Sequence, residues 1–335
     1  MRRRRSTVVF VEAALAVVAT GIVVGTPVGY AVAGAAAVAG VAGVVRRRGR
    51  GLADVAADRL GDPAAPELSG LQVVDVPTRD GELGVVGDGQ GFVVVLDVGT
   101  LGAWPLADVL DLALGDPARP AAVQVVVEQR GVAGAAVDPR FGPARTYRSL
   151  PVGGLPLSSR VLLAIRHEPA WAPETVETRG GGATGARNAL AAVAARATAR
   201  AARDGIRLRA LDADELIGLL RALGPAPDLD PAADVVLGVP LVDDDALGSV
   251  LRALAAADVT RAVVSVSAGA LERTLSALVR ITDPRPGVAG QAAERLVADG
   301  LATTLPGSRD DHVLATLPLG GGAASLTHVV AQARR

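Results

Sequence analysis

Two apolar runs, Val8–Gly25 and Val28–Val45, stand at the start of the chain, and beyond them the hydrophobic positions fall into shorter periodic stretches. At roughly 1.5 Å rise per residue, each run is just long enough to cross a hydrocarbon core as a helix. Only Thr26-Pro27 separates them, so the two predicted helices turn back on each other as a hairpin. Arg2 to Arg5 precede the first run, Arg46, Arg47, Arg48 and Arg50 follow the second, and the turn holds no arginine. Arginine favours the cytoplasmic side, so both ends of the hairpin, and all that follows, are expected in the cytoplasm. A signal peptide would share the opening charge and first run, but it has no use for a second run closed by a basic block.

Small residues mark both spans: Gly21 and Gly25 in the first, Ala35, Ala39 and Gly43 in the second, which contains neither Leu nor Ile. Such spacing lets helix backbones approach closely in lipid, so the weak second span is expected to gain from neighbouring helices. Glu12 lies about 10 Å inside the first span, shallow enough to snorkel or to pair with a nearby arginine. After the hairpin, residues 51–60 have the spacing of a short amphipathic helix on the membrane surface. Pro63 and Pro66 end it, and residues 51–80 read as a juxtamembrane linker.

From residue 81 the pattern alternates between periods of two and of three to four. Gly84–Val86 and Phe92–Leu96 flank Asp88-Gly89, a hairpin signal of the primed-turn type. A helix is predicted over Pro105–Leu114, strands at Val123–Glu128 and Arg160–Arg166, and a Gly/Pro-rich excursion between these strands. A long helix over Thr184–Arg203, a strand at Ile206–Leu211 and a helix capped by Asp212 with Glu215 follow. Beyond Pro225–Pro231 come a strand (Val235–Leu241), a helix (Ala246–Ala256) and a strand (Ala262–Val266). Leu271–Ile281 fits strand or helix, 288–299 reads as a helix, and Leu301–Leu305 and Val313–Leu317 read as a closing strand pair. The order strand-helix-strand-strand-helix-strand thus occurs twice, and Arg166-His167-Glu168-Pro169 is echoed by Arg280-Ile281-Thr282-Asp283-Pro284. The expected fold is α/β (α+β): a transmembrane hairpin, then two duplicated ferredoxin-like units at 81–224 and 232–318 and a tail at 319–335. Helices are expected on one face of a mostly antiparallel sheet.

Charge sharpens this picture. The hairpin segment carries eight arginines against Glu12, a net of +7, which leaves −8 for residues 51–335 of a chain that totals −1. An acidic soluble part argues against a nucleic-acid partner, and the basic residues suited to anionic lipid stand beside the bilayer. The absence of cysteine removes disulfides and thiolate chemistry. Half the residues are apolar but only 2% are aromatic, so the core is built from Val, Leu and Ala.

No stretch spells out a catalytic motif. Arg179-Gly180-Gly181-Gly182-Ala183-Thr184-Gly185-Ala186-Arg187 opens a helix, as phosphate-cradling loops do, but has neither a P-loop ending nor a dinucleotide fingerprint. It reads as a helix start capped by Thr184; Gly320-Gly321-Gly322 is a weaker version. Asp243-Asp244-Asp245 fits a helix N-terminus better than a metal site, and Asp310-Asp311 reads as a turn. Arg196, Arg200 and Arg203 form a helical stripe that reads as a solvated face, or as one that docks an acidic partner or the lipid surface. His167, His312 and His328 lack ligand spacing, and Ser158 and Ser159 lack a nucleophile elbow. No catalytic, cofactor-binding or metal-binding residue is therefore assigned, and no cofactor.

One resemblance draws these features together. An arginine-flanked span pair is followed by Val85-Val86-Gly87-Asp88-Gly89-Gln90-Gly91-Phe92-Val93-Val94-Val95-Leu96, by Thr146-Tyr147-Arg148-Ser149-Leu150-Pro151, and by Arg179-Gly180-Gly181-Gly182 before the alanine-rich helix. This layout, from the hairpin to about Leu223, resembles EccE, the type VII (ESX) secretion system component of actinobacteria. The resemblance implies a non-enzymatic structural subunit of a plasma-membrane complex, multi-pass, beside EccB, EccC and EccD components. Two other readings stay open on the residues alone: a membrane-anchored transferase-type enzyme using Gly180–Gly182, and a small-molecule-binding regulatory module.

Overall fold

The computed structural model describes residues 46–47, 50–51, 71–79, 81–99, 105–131, 158–224, 229–240, 244–257, 259–270 and 275–321. The chain divides into two units, Met1–Glu67 and Leu68–Arg335. In the first, strands β1 (Arg46–Arg47) and β2 (Arg50–Gly51) form a short antiparallel ladder. The expected spans, 8–25 and 28–45, lie outside the described residues, as does nearly all of the 51–60 stretch. Among the described residues no helix is long and apolar enough to cross a membrane.

The second unit is a mixed α/β structure on one large antiparallel sheet. Its strands are β3 (Gln72–Thr78), β4 (Gly81–Gly87), β5 (Phe92–Gly99), β6 (Ala122–Arg130), β7 (Ser158–His167), β8 (Arg209–Ala210), β9 (Asp234–Gly238), β10 (Arg261–Gly269), β11 (Leu275–Thr282) and β12 (Thr303–Thr304). They lie in the order β12-β9-β11-β10-β6-β7-β5-β4-β3, with β8 also paired to β5. At the centre β6 runs against β10, with Val125 opposite Val266. Strand β3 sits inside the stretch expected to be linker. Its Pro77 is compatible with an outermost strand, where a missing N–H breaks no ladder on the open side. The Asp88-Gly89 hairpin is present but wider than a two-residue turn. Gly87 pairs with Phe92, and the Asp88 carboxylate accepts the Gln90 and Gly91 N–H groups inside the loop.

Seven helices are described: α1 (Leu106–Leu114), α2 (Pro173–Glu177), α3 (Gly182–Arg203), α4 (Ala213–Leu223), α5 (Asp244–Ala256), α6 (Val288–Ala298) and α7 (Arg309–Thr316). They cover both faces of the sheet, where one covered face was expected. Helices α1, α3, α5 and α6 bury one face on Val94, Leu96, Val123, Val125, Val264 and Val279. Helix α4 and the segment around Leu314–Leu319 bury the other on Val93, Val95, Val126, Leu162 and Val263. Cover on both sides explains why β6 is buried from Ala122 to Gln129 and reads as an almost continuous apolar run.

One predicted strand changes identity. Val313–Leu317 falls largely in helix α7, where His312, Val313 and Thr316 point inward at helical spacing and Asp310 and Asp311 complement the first-turn dipole rather than forming a turn. Leu271–Ile281, which fits strand or helix, is strand β11 from Leu275 onward, and 271–274 lie outside the described residues. The capping box of Asp212 and Glu215 on α4 is formed as expected.

Candidate functional site

The glycine-rich stretch serves a reversal between two helices. Gly180, Gly181 and Gly182 all have positive φ, and the cap of α3 is Gly181 rather than Thr184. The Gly181 N–H donates to the Val176 carbonyl at 3.0 Å, and the Glu177 carboxylate lies beside Gly181. A methyl group on Gly185 would stand 2.1 Å from the Val176 oxygen, so only glycine lets α3 pass this close to α2. Arg179 donates to the Thr175 carbonyl, and Arg187 stacks 5.7 Å over the Phe92 ring. This corner is thus held together by the chain's own groups.

The arginine stripe of α3 is largely consumed in the same way. Arg196 grips the buried Asp116 carboxylate through two 2.7 Å hydrogen bonds, and Arg200 donates to the Leu112 carbonyl near the end of α1. Burial alone would raise the Asp116 carboxyl, but the Arg196 bonds and charge outweigh it and hold it below the usual range. The stripe docks α3 on the end of α1 rather than forming a wholly solvated face.

The densest polar constellation lies on the other face of the sheet. Arg280 on β11 and Asp234 on β9 are each only 1% exposed, and the guanidinium meets both carboxylate oxygens at 2.7 Å. Thr282 and Arg309 complete the shell around Asp234. Burial would raise the Asp234 carboxyl, but Arg280, with Arg309, keeps it below the usual carboxylate range. The rest of Arg280 turns to the last turn of α4, donating to the Leu223 and Gly224 carbonyls, while Arg261 on β10 donates to Ala222. Two cations thus satisfy carbonyls that a helix end leaves unpaired, and they complement its dipole.

A second seat lies across the β6–β10 pair. The Gln124 amide, fully buried, donates to the Ala315 carbonyl of α7 at 3.0 Å and accepts the Gly320 N–H at 2.8 Å. Gln124 also donates to Ser265, whose hydroxyl donates to Ala315. Buried Arg166 donates to Asp88, to Glu168 and, at 3.4 Å, to the Leu319 carbonyl. On the same sheet face, Arg209 and Arg160 share Asp97, and Arg130 pairs with Glu128.

Of the remaining sequence candidates, His167 is fully buried and His312 largely so. The His167 ring faces the main chain of Ala118 without hydrogen-bond geometry at either nitrogen, and burial lowers its pKa. Ser158 and Ser159 open strand β7, Asp244 and Asp245 open α5, and Asp243, Gly322 and His328 lie outside the described residues. Among the described residues no three His, Asp or Glu side chains are placed to hold a metal ion. Along the sequence Arg166 and Arg280 stand out only as an echo of each other, and Gln124 does not stand out at all. The available signal was a polar residue set among apolar neighbours in each of three strands: Val123-Gln124-Val125, Ile165-Arg166 and Val279-Arg280-Ile281.

The family model described as "Putative type VII ESX secretion system translocon, EccE" matches residues 156–238. Over these residues the chain is similar to EccE. The EccE-like stretch runs from the approach to β7 to the end of β9, and so holds Arg166, the glycine reversal, α4 and Asp234. Gln124, Arg280 and the 315–321 segment lie outside it. No curated protein sequence matches the chain.

Proposed function

We propose that the protein is a non-enzymatic structural subunit of an actinobacterial type VII (ESX) secretion complex in the plasma membrane. The observation that carries this reading is the EccE match over residues 156–238. The hairpin at 8–25 and 28–45 anchors the chain with both termini cytoplasmic, as its arginine flanks favour. EccB-, EccC- and EccD-like components are its partners, met partly through the small-residue faces of the spans. The engagement of the most buried charges with the chain's own carbonyls and carboxylates supports a scaffold role.

The soluble part is read as two duplicated ferredoxin-like units. Strands β5–β8 lie in the order β6-β7-β5-β8 and β9–β12 in the order β10-β11-β9-β12. Placing Ala122–Arg130 on Arg261–Gly269 and following the ladders carries Leu96 onto Leu237, and each meets its short fourth strand there, at Ala210 and Thr304. In that register Arg166 corresponds to Thr282 and Ala164 to Arg280. The sequence echo is therefore offset by two residues, which keeps both arginines on one face.

The test is biochemical. A tagged full-length chain, extracted in mild detergent, is expected to co-purify with the other secretion membrane components, and its deletion to abolish export of ESX substrates. Recovery of the chain alone together with intact export in the deletion strain overturns the reading.

A further inference from the structure

Helix α7 is followed by Leu317-Pro318-Leu319-Gly320-Gly321, which crosses the central β6–β10 pair as an irregular, largely buried segment. Leu317, with partly buried Leu314 and Leu319, lies on the cluster of Val86, Val93, Val126, Leu162 and Val263. The polar contacts of this segment with the sheet face run from side chains to main chain. Gln124 grips Ala315 and Gly320, Ser265 reaches Ala315, and Arg166 reaches Leu319.

Three features distinguish the segment from the sheet it covers. Strand β6 is already paired on both edges, with β7 and β10, so removing the segment breaks no ladder. The Gln124 N–H and Ser265 bond each other at 2.7 Å, and Arg166 holds Asp88 and Glu168, so these keep a partner when the segment leaves, and the Gln124 Oε1 is left to water. The segment also follows the last described helix, so no later described element moves with it.

The geometry points to a releasable strap over a groove that reads main chain. Its floor is apolar, with room for leucines two positions apart, and a central amide takes one carbonyl and one N–H from the occupant. Leu317–Gly321 is that occupant in the closed molecule. Once it is released, the same segment of a second copy, carrying identical groups, is the matching occupant. This inference stands apart from the secretion reading, since it rests only on contacts within the chain.

Gly320 gives a selective way to open the strap. It has φ +74°, and a methyl group there would stand 2.5 Å from the Arg166 Cβ, so alanine cannot keep the closed path. Hydrogen exchange followed by mass spectrometry on the full-length protein in detergent compares Gly320→Ala with Gly218→Ala, a site where an added Cβ meets no atom within 4 Å. Exchange across 314–321 is expected to accelerate at least about tenfold in Gly320→Ala alone, with the β6, β7 and β10 peptides unchanged. A labelled synthetic peptide spanning His312–Gly321 is then expected to bind Gly320→Ala at least about tenfold more tightly than the unaltered protein. Gln124→Met, which removes the central grip at similar volume, should reproduce the local acceleration. Protection lost equally through the central strands shows a cooperative part of the core and overturns the proposal. Continued protection at 314–321, or an opened strap that takes up no peptide, overturns it too.

Discussion

Helices α4 and α7 both end on the same face of the sheet, but in opposite kinds of seat. The last carbonyls of α4 are taken by Arg280 and Arg261, with Asp234 buried behind Arg280. The end of α7 is taken by a neutral amide and a hydroxyl, Gln124 and Ser265. Charged groups cost far more to bury than neutral ones, and losing one partner leaves an uncompensated charge in low dielectric. The α4 seat is therefore a permanent joint. The α7 seat, when it empties, leaves no charge without a partner, as a releasable strap requires.

Substitution should separate the two most sharply at Arg280. Arg280→Met leaves Asp234 with Thr282 and the partly exposed Arg309, and the Leu223 carbonyl with one partner fewer. A loss of about 3–5 kcal/mol is expected, read from the denaturant midpoint at unchanged slope. A loss below about 1 kcal/mol would erase the distinction between the two seats. Gln124→Met at the neutral seat removes hydrogen bonds without stranding a charge, and should cost about 1–3 kcal/mol.

Acid probes the same contrast. The Asp234 and Asp88 carboxyls have lowered pKa values because their arginine bonds outweigh burial. Their contribution to stability is fully present above the unfolded carboxylate range, near pH 4, and is lost as pH falls through the lower folded values. Unfolding midpoints measured between pH 5 and pH 2 should therefore fall steeply (roughly the window spanning those values), and less steeply in Arg280→Met, whereas Gln124→Met should leave the slope unchanged. The smallest effect belongs to His167. Burial lowers its pKa, so the unfolded chain takes up the proton first and stability declines gently as pH drops below about 6.5. His167→Phe should flatten that gentle decline, and an unaltered slope would mean that the ring is not the titrating group.

Much of the fold was legible along the chain because local patterns carry it. Apolar residues at helical spacing marked α1, α3, α4, α5 and α6, and the Asp212–Glu215 pair marked the start of α4. The reading failed where a short segment satisfied both periods. Val313–Leu317 alternates well enough for a strand, yet it follows Asp310-Asp311, which occupy the first turn of a helix. Thr184 looked like a cap because threonine caps helices, but three glycines let the backbone turn earlier. The seats were the least visible part, since each joins residues far apart in the chain: Gln124 with Gly320, Arg280 with Leu223 and Asp234.

By itself the sequence determined the punctuation of this protein: two apolar runs flanked by arginine, an order of strands and helices, and polar residues set among apolar neighbours in strands. Those features depend on neighbours a few positions away, where spacing alone decides which side is apolar. Only the tertiary structure decided that helices cover both faces of the sheet, that β6 and β10 join at its centre, and that these polar residues seat helix ends. A buried arginine or glutamine must find its partners in space, and the partners of Arg280 and Gln124 come together only once the sheet has formed.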